Sequence, residues 1–232
     1  MPKPAGLSMG LRLLLASQSI APLAVKLTLV QQLGPARAAL LAPHMPGAQL
    51  RELILGLPVE FTAQVATHLD PQLVLDTYLS LPDSLHLAVA RQLCAVQAFA
   101  TAARYAECLS AQQIKVLIFG INDARHVVKI ARHIQDLQLI CQSLRSFSTG
   151  YLCKLTEAAV DDDNVAVSAG VLSGLPLSRQ ADVCAGLRPG TLLALLPMLL
   201  AASDQALGGY LPERVLQGAG IAAARCRQMP AD

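Results

Sequence analysis

Leu57-Pro58-Val59-Glu60-Phe61-Thr62-Ala63-Gln64-Val65-Ala66-Thr67-His68-Leu69-Asp70-Pro71, followed ten residues later by Leu81-Pro82, holds three leucines at a 12-residue interval, each with proline one or two positions on. The same register extends backwards through Met45-Pro46, Leu33-Gly34-Pro35 and Ala21-Pro22. Proline is tolerated where a helix begins, because the amide it lacks would be unpaired there, whereas inside a helix it removes a bond and clashes. Each mark therefore predicts a helix start. Between the marks, Phe61, Val65 and Leu69 recur at intervals of four and define one apolar face, and Asp70 is placed to cap the next helix with Pro71 at its first position. In that helix Leu75 with Leu79, and Val74 with Tyr78, form the expected buried stripe; after Pro82, Leu85, Val89, Leu93 and Val96 continue it.

Helices of about nine residues are marginal alone, because nucleation costs more than so few bonds return. They must be stabilised by stacking on neighbours, which is the logic of a solenoid. The fold class predicted is all-α, a superhelical stack of short helices. Residues 1–7 form a tail, 8–227 a single helical-repeat domain, and 228–232 a second tail. Within the domain a first array spans about 21–93, an irregular middle about 94–174, and a second array about 175–227, marked by Leu175-Pro176, Leu187-Arg188-Pro189 and Leu211-Pro212. Leu81 and Leu175 are 94 apart, which is not a multiple of twelve, so the middle carries an insertion or a deletion.

Working outward from the register, Ser8 to about Ile20 reads as a first helix rather than a signal segment, because its apolar run is short and interrupted by Ser17-Gln18-Ser19. Pro22–Gln32 is Leu/Val-rich with one charge, Lys26, and should be buried on most sides. Asp83–Leu109 contains neither Pro nor Gly, so either one long helix runs there or its turns use other residues. Ser110 with Gln113 forms a capping box, and Asn122 or Asp123 caps a helix from Ala124 to about Gln138. Ser146–Gly150 reads as a turn; Asp161-Asp162-Asp163-Asn164 reads as an acidic turn or helix cap, with a hard cation held by its carboxylates as the alternative, although the glycine and distal Glu of a calcium loop are absent. Pro212–Arg227, weakened by Gly218 and Gly220, is a terminal element.

Composition narrows the functional classes. Of 232 residues, 53% are hydrophobic, 15% charged and 3% aromatic, with no Trp, so an aliphatic core is expected. The net charge of +2 gives no reason to expect a nucleic acid as partner. Six cysteines without C-x-x-C or paired-His spacing read as free thiols of a reducing, cytoplasmic setting. No apolar run reaches the roughly 20 residues that span a bilayer, so no transmembrane segment is expected, though peripheral membrane contact is compatible. G-x-S-x-G, H-E-x-x-H, P-loop and G-x-G-x-x-G patterns are absent, and no cofactor, catalytic residue or metal ligand set is expected.

The twelve-residue alternation of Leu-Pro and Leu-Asp-Pro, clearest over Leu33–Leu93 and returning over Leu175–Leu211, resembles the cytosolic N-terminal domain of the MgtE magnesium transporters. Related armadillo-like helices occur in the flagellar motor switch protein FliG. The resemblance implies a right-handed superhelix of short helices. It does not bring magnesium sensing with it, because the corresponding helices offer only scattered Glu60, Asp70, Asp76 and Asp83, and no membrane-spanning part is expected.

Two surfaces are candidates for function. Arg125, Lys129 and Arg132 fall at i, i+4 and i+7 of one helix, with His126 and His133 beside them, and Val127, Val128, Ile130, Ile134 and Leu137 opposite. That face suits an acidic partner or an anion; the spacing of the two histidines would suit a metal only with further ligands. The second is Thr191–Ala202, uncharged on every side, whose Leu192, Leu193, Leu195, Leu196 and Leu199 are either the centre of the second array or an interface for a partner or second copy. The function expected is a non-enzymatic protein-interaction or scaffold module with a protein partner or self-association. Competing readings are a carrier of an apolar, lipid-like ligand held between helices, and an enzyme whose site is assembled from residues distant in sequence.

Overall fold

The computed structural model describes residues 22–218. The expected helix over Ser8–Ile20, Ala21 of the first mark, both tails, Cys226 and the terminal element beyond Gly218 lie outside the described residues. Among the described residues all regular structure is helical, in fifteen α-helices and three 3-10 turns without a strand. The chain divides into two compact units, Met1–Leu109 and Ser110–Asp232, and the division falls within the stretch expected as the irregular middle.

The first unit holds α1 (Leu23–Leu33), α2 (Pro35–Leu41), a 3-10 turn at Ala42–His44, α3 (Gly47–Gly56), α4 (Val59–His68), a second 3-10 turn at Pro71–Val74, α5 (Leu75–Leu79), α6 (Asp83–Ala95) and α7 (Phe99–Ala106). The proline marks are helix starts, and the form of the start varies. Pro35 is the first residue of α2, whereas Pro22, Pro46, Pro58 and Pro82 are themselves the N-cap, with ψ between 135 and 149°. Asp70 caps the turn begun by Pro71 by accepting from the Gln72 amide at 3.0 Å. The leucines ahead of the marks anchor the chain in the core: Leu69 and Leu81 are buried.

Each helix packs on the next but one, α1 on α3, α2 on α4, α3 on α5 and α4 on α6. Alanines make this close approach possible, since Ala39 and Ala42 join Leu50, Leu69 and Val74 in one cluster, and Ala38 joins Val30 and Leu53 in another. A buried leucine contributes about 1.5–3 kcal/mol.

Two expectations are corrected here, and one open alternative is decided. The helix from Pro22 buries only one side, leaving Val25 exposed while Lys26 is buried. Leu79 and Val96 of the expected stripe are exposed, because α5 and α6 end at or before them. The chain also turns inside Asp83–Leu109. Gln97 adopts φ 57°, and the Gln97 and Ala98 amides donate to Cys94 and Leu93 carbonyls at 3.0 and 2.8 Å, closing α6 with a left-handed residue that is not glycine.

The second unit holds α8 (Ala111–Ile121), α9 (Ala124–Ala131), α10 (Leu137–Leu144), α11 (Thr149–Asp161), α12 (Val165–Ser173), α13 (Leu177–Gly186), α14 (Pro189–Ala202), a 3-10 turn at Ala206–Gly209 and α15 (Glu213–Gly218). The next-but-one pattern recurs, α8 on α10, α9 on α11, α10 on α12, α11 on α13 and α12 on α14. Its first helices start with side-chain caps. Ser110 and Gln113 make the reciprocal capping box, and Asp123, Asp136 and Ser148 each accept from amides one turn on. Proline starts return at Pro176 and Pro189.

Candidate functional site

The cationic helix is shorter than its periodicity suggests. Asn122 ends α8 in the left-handed conformation at φ 52°, and Asp123 opens α9 by accepting from the Arg125 and His126 amides at 2.9 and 3.2 Å. The helix then stops at Ala131, and Asp136 starts α10, so the expected single helix to Gln138 is two helices joined by a turn. The apolar period of Ile130, Ile134 and Leu137 runs on across that turn, which is why it hides the break. Ile130 and Ile134 are buried, but Leu137 is exposed.

Val127, Val128 and Ile130 form the buried face of α9, where Val128 packs with Ala158 and Ala159 of α11. On the other side Arg125 and Arg132 are exposed, Lys129 and His126 half-buried, and His133 exposed in the turn. His126 Nδ1 lies 3.4 Å from the Asp123 carboxylate. Among the described residues no group of three or more His, Cys, Asp or Glu side chains could hold a metal ion.

The acidic stretch after α11 is a turn. Arg188 donates through Nη2 to both Asp161 carboxylate oxygens at 3.0 Å, its Nε is 3.3 Å from Glu157, and its amide donates to Glu157 at 3.0 Å. Asp163 takes φ 57°, and the Asn164 side-chain amide donates back to Asp162.

The apolar candidate changes sides. Leu192, Leu195, Leu196 and Leu199 are interior in the second unit, packed where α14 meets α11, α12 and the 3-10 turn, so they are core and not an interface. Only Leu193 of the five is exposed, together with Met198. A helix uniformly rich in leucine does not reveal which side its neighbours cover.

Two constellations carry no local motif. In the first unit Tyr78 donates to the Tyr105 carbonyl at 3.2 Å, Tyr105 donates to the Leu69 carbonyl at 3.3 Å, and the buried His86 holds Nε2 3.0 Å from the Tyr78 carbonyl. Burial drives both phenols well above their ordinary value, and with each hydroxyl already donating to backbone this network ties α4, α5, α6 and α7 together instead of presenting reactive groups.

In the second unit an open concavity of about 570 Å³ is lined by Arg145, Gly174, Leu175, Pro176 and Arg179. Arg145 follows α10 directly, and Arg179 lies in the first turn of α13, where it donates to the Phe147 carbonyl. Phe147, 1% exposed, stacks at 4.5 Å on Phe119 and at 5.1 Å on Tyr151, which fixes the chain that carries that carbonyl. Gly174 is required there: a Cβ at this position would meet the Cys141 sulfur at 2.6 Å. The two arginines are 34 positions apart and share no pattern; a cation in the first turn after Pro176, where the helix dipole favours an anion, is the one signal that points to them.

Comparison with protein-family models, with curated proteins and with solved structures finds no match for this chain. No helix among the described residues is long and apolar enough to cross a membrane.

Proposed function

We propose that the chain is a non-enzymatic interaction module whose short helices present a basic surface to an acidic segment of a protein partner. The supporting observation is the separation of charge along the second unit. From residue 111 to 154 the chain carries Lys115, Arg125, Lys129, Arg132, Arg145 and Lys154 against only Asp123 and Asp136, and both carboxylates accept backbone amides as helix caps. Residues 155–182 reverse the balance, with Glu157, Asp161, Asp162, Asp163 and Asp182 against Arg179. Arg125, Lys129 and Arg132 thus lie in a net-positive stretch although the chain as a whole is nearly neutral, and a basic face of this kind would steer and orient an acidic partner.

The Leu-Pro register, which resembles that of the MgtE cytosolic domain, fits a module of this kind, and Cys94, Cys108, Cys141, Cys153 and Cys184, none of them in a disulfide, suit a reducing, cytoplasmic setting. The concavity does not favour the apolar-carrier reading, because two guanidinium groups line it. The test is capture of partners from native extract with the full chain and with an Arg125→Glu/Lys129→Glu/Arg132→Glu variant, helicity being checked by circular dichroism. Partners held by the wild type, released by salt and lost in the variant are expected. Identical partner sets, or none with either protein, would overturn the reading.

A further inference from the structure

The concavity between the end of α10 and the start of α13 brings together positive charge that nothing in its lining neutralises. Arg145 and Arg179 line the same space, their companions are Gly174, Leu175 and Pro176, and Asp182, one turn further along α13, is not among the lining residues. Arg145 stands at the C-terminal end of α10, where a cation is favoured, but Arg179 stands at the N-terminal end of α13, where it is not. Helix α13 also opens without a side-chain cap, because Pro176 has no polar group to offer. An uncapped start of that kind recurs at Pro22, Pro46, Pro58 and Pro82 and is not a site in itself. What separates α13 from those starts is the pair of guanidinium groups gathered at one concavity.

The wall is also built to stay in place. Gln180, 2% exposed, donates to the Leu175 carbonyl at 2.8 Å and to the Ser173 carbonyl at 3.4 Å, so two carbonyl oxygens of the loop are already occupied by a buried donor. Gly174 sits tight against Cys141, and the Phe147 carbonyl holds the Arg179 guanidinium. Arg179 is held by that carbonyl while Arg145 is exposed at the same concavity, and guanidinium groups match the oxygens of a phosphoryl group with paired donors.

We propose that this concavity is a binding site for a phosphate-type oxyanion, free or as the phosphoryl group of a small ligand, with Arg145 and Arg179 as its donors. The site is distinct from the basic face of α9, and its test does not depend on a protein partner. Inorganic phosphate and glycerol phosphate are titrated separately into the full chain while backbone amide and arginine Nε resonances are followed, with chloride at matched ionic strength as the reference. Saturable shifts centred on Leu177, Ser178, Arg179 and Arg145 are expected. Tighter binding of glycerol phosphate would assign the site to a phosphorylated ligand, and equal or weaker binding to the free ion. Arg145→Gln, at an exposed position, should weaken binding about fivefold, as loss of one exposed charge pair predicts, and Arg145→Lys should restore part of it. The Arg125→Glu/Lys129→Glu/Arg132→Glu variant should leave these shifts in place. Shifts no larger than those from chloride, shifts spread over the basic residues generally, or an unchanged response in Arg145→Gln would overturn the proposal.

Discussion

The two units solve one problem in different ways. Short helices need their first amides satisfied or dispensed with. The first unit relies mainly on proline, which fixes φ and lacks the amide, and at Pro22, Pro46, Pro58 and Pro82 no side chain caps the helix; Asp70 is the exception. The opening of the second unit relies on Ser110, Asp123, Asp136 and Ser148, whose side chains accept those amides. The difference lies in the chemistry of the starts: one set uses a residue with no amide and no polar side chain, the other a carboxylate or hydroxyl that accepts amides one turn on.

The sharpest probe of the comparison is whether each unit owns a core. Leu93→Ala in the first and Leu199→Ala in the second, at 1% and 0% exposure, should each cost about 2–5 kcal/mol in denaturant unfolding. A cost below about 1 kcal/mol at either would mean that the unit does not depend on that packing. Phe147→Ala removes the centre of the Phe119, Phe147 and Tyr151 stack and should cost about 3–5 kcal/mol, with no matching effect for Phe119→Leu, whose ring is half exposed.

The two kinds of helix start separate at a smaller scale. Asp123→Ala or Asp136→Ala should lower stability by about 1 kcal/mol through loss of an accepting cap. Pro58→Ala should lower it by about 0.4–1 kcal/mol, mainly by freeing the unfolded chain. Equal costs with equal effects on the unfolding slope would erase the distinction drawn between them.

The last effect is alkaline and confined to high pH. Burial pushes the Cys184 thiol up to about 11, so the folded state holds that proton more tightly than the unfolded state does. Its contribution is fully present below about pH 8.5, the ordinary thiol value, and is lost as pH rises through that value toward about 11. Melting temperature should fall over that window more steeply in the wild type than in Cys184→Ala. Parallel curves would mean that the thiol is equally accessible in both states.

Much of this architecture is legible in the residues. Proline marks locate helix starts because proline excludes the helix interior, and Ser110-x-x-Gln113 reads directly as a capping box. The position of the turn at Gln97 is not legible, because a glutamine in left-handed conformation, closed by backbone hydrogen bonds to Cys94 and Leu93, leaves no Gly or Pro to announce it. Asp136 is hidden for a related reason: the apolar period on either side of it stays in phase across the break. The sidedness of α14 cannot be read from a helix apolar all round, since it depends on α11 and α12. Arg145 and Arg179 come to line one concavity only once α10, α12 and α13 are packed, so no spacing could reveal it in advance.

The next-but-one packing has a kinetic consequence. The side-chain links across elements, such as Arg51 to Ser80, Tyr78 to Tyr105, and Tyr151 to Ile118, join residues 27 to 33 positions apart. Chain segments of that length close at modest entropic cost, and topologies built from near-sequence contacts cross low barriers. Each unit can therefore begin to fold at whichever helix pair meets first. A helix pair completed during synthesis already has most of its partners, since the residues it needs next are the ones emerging next.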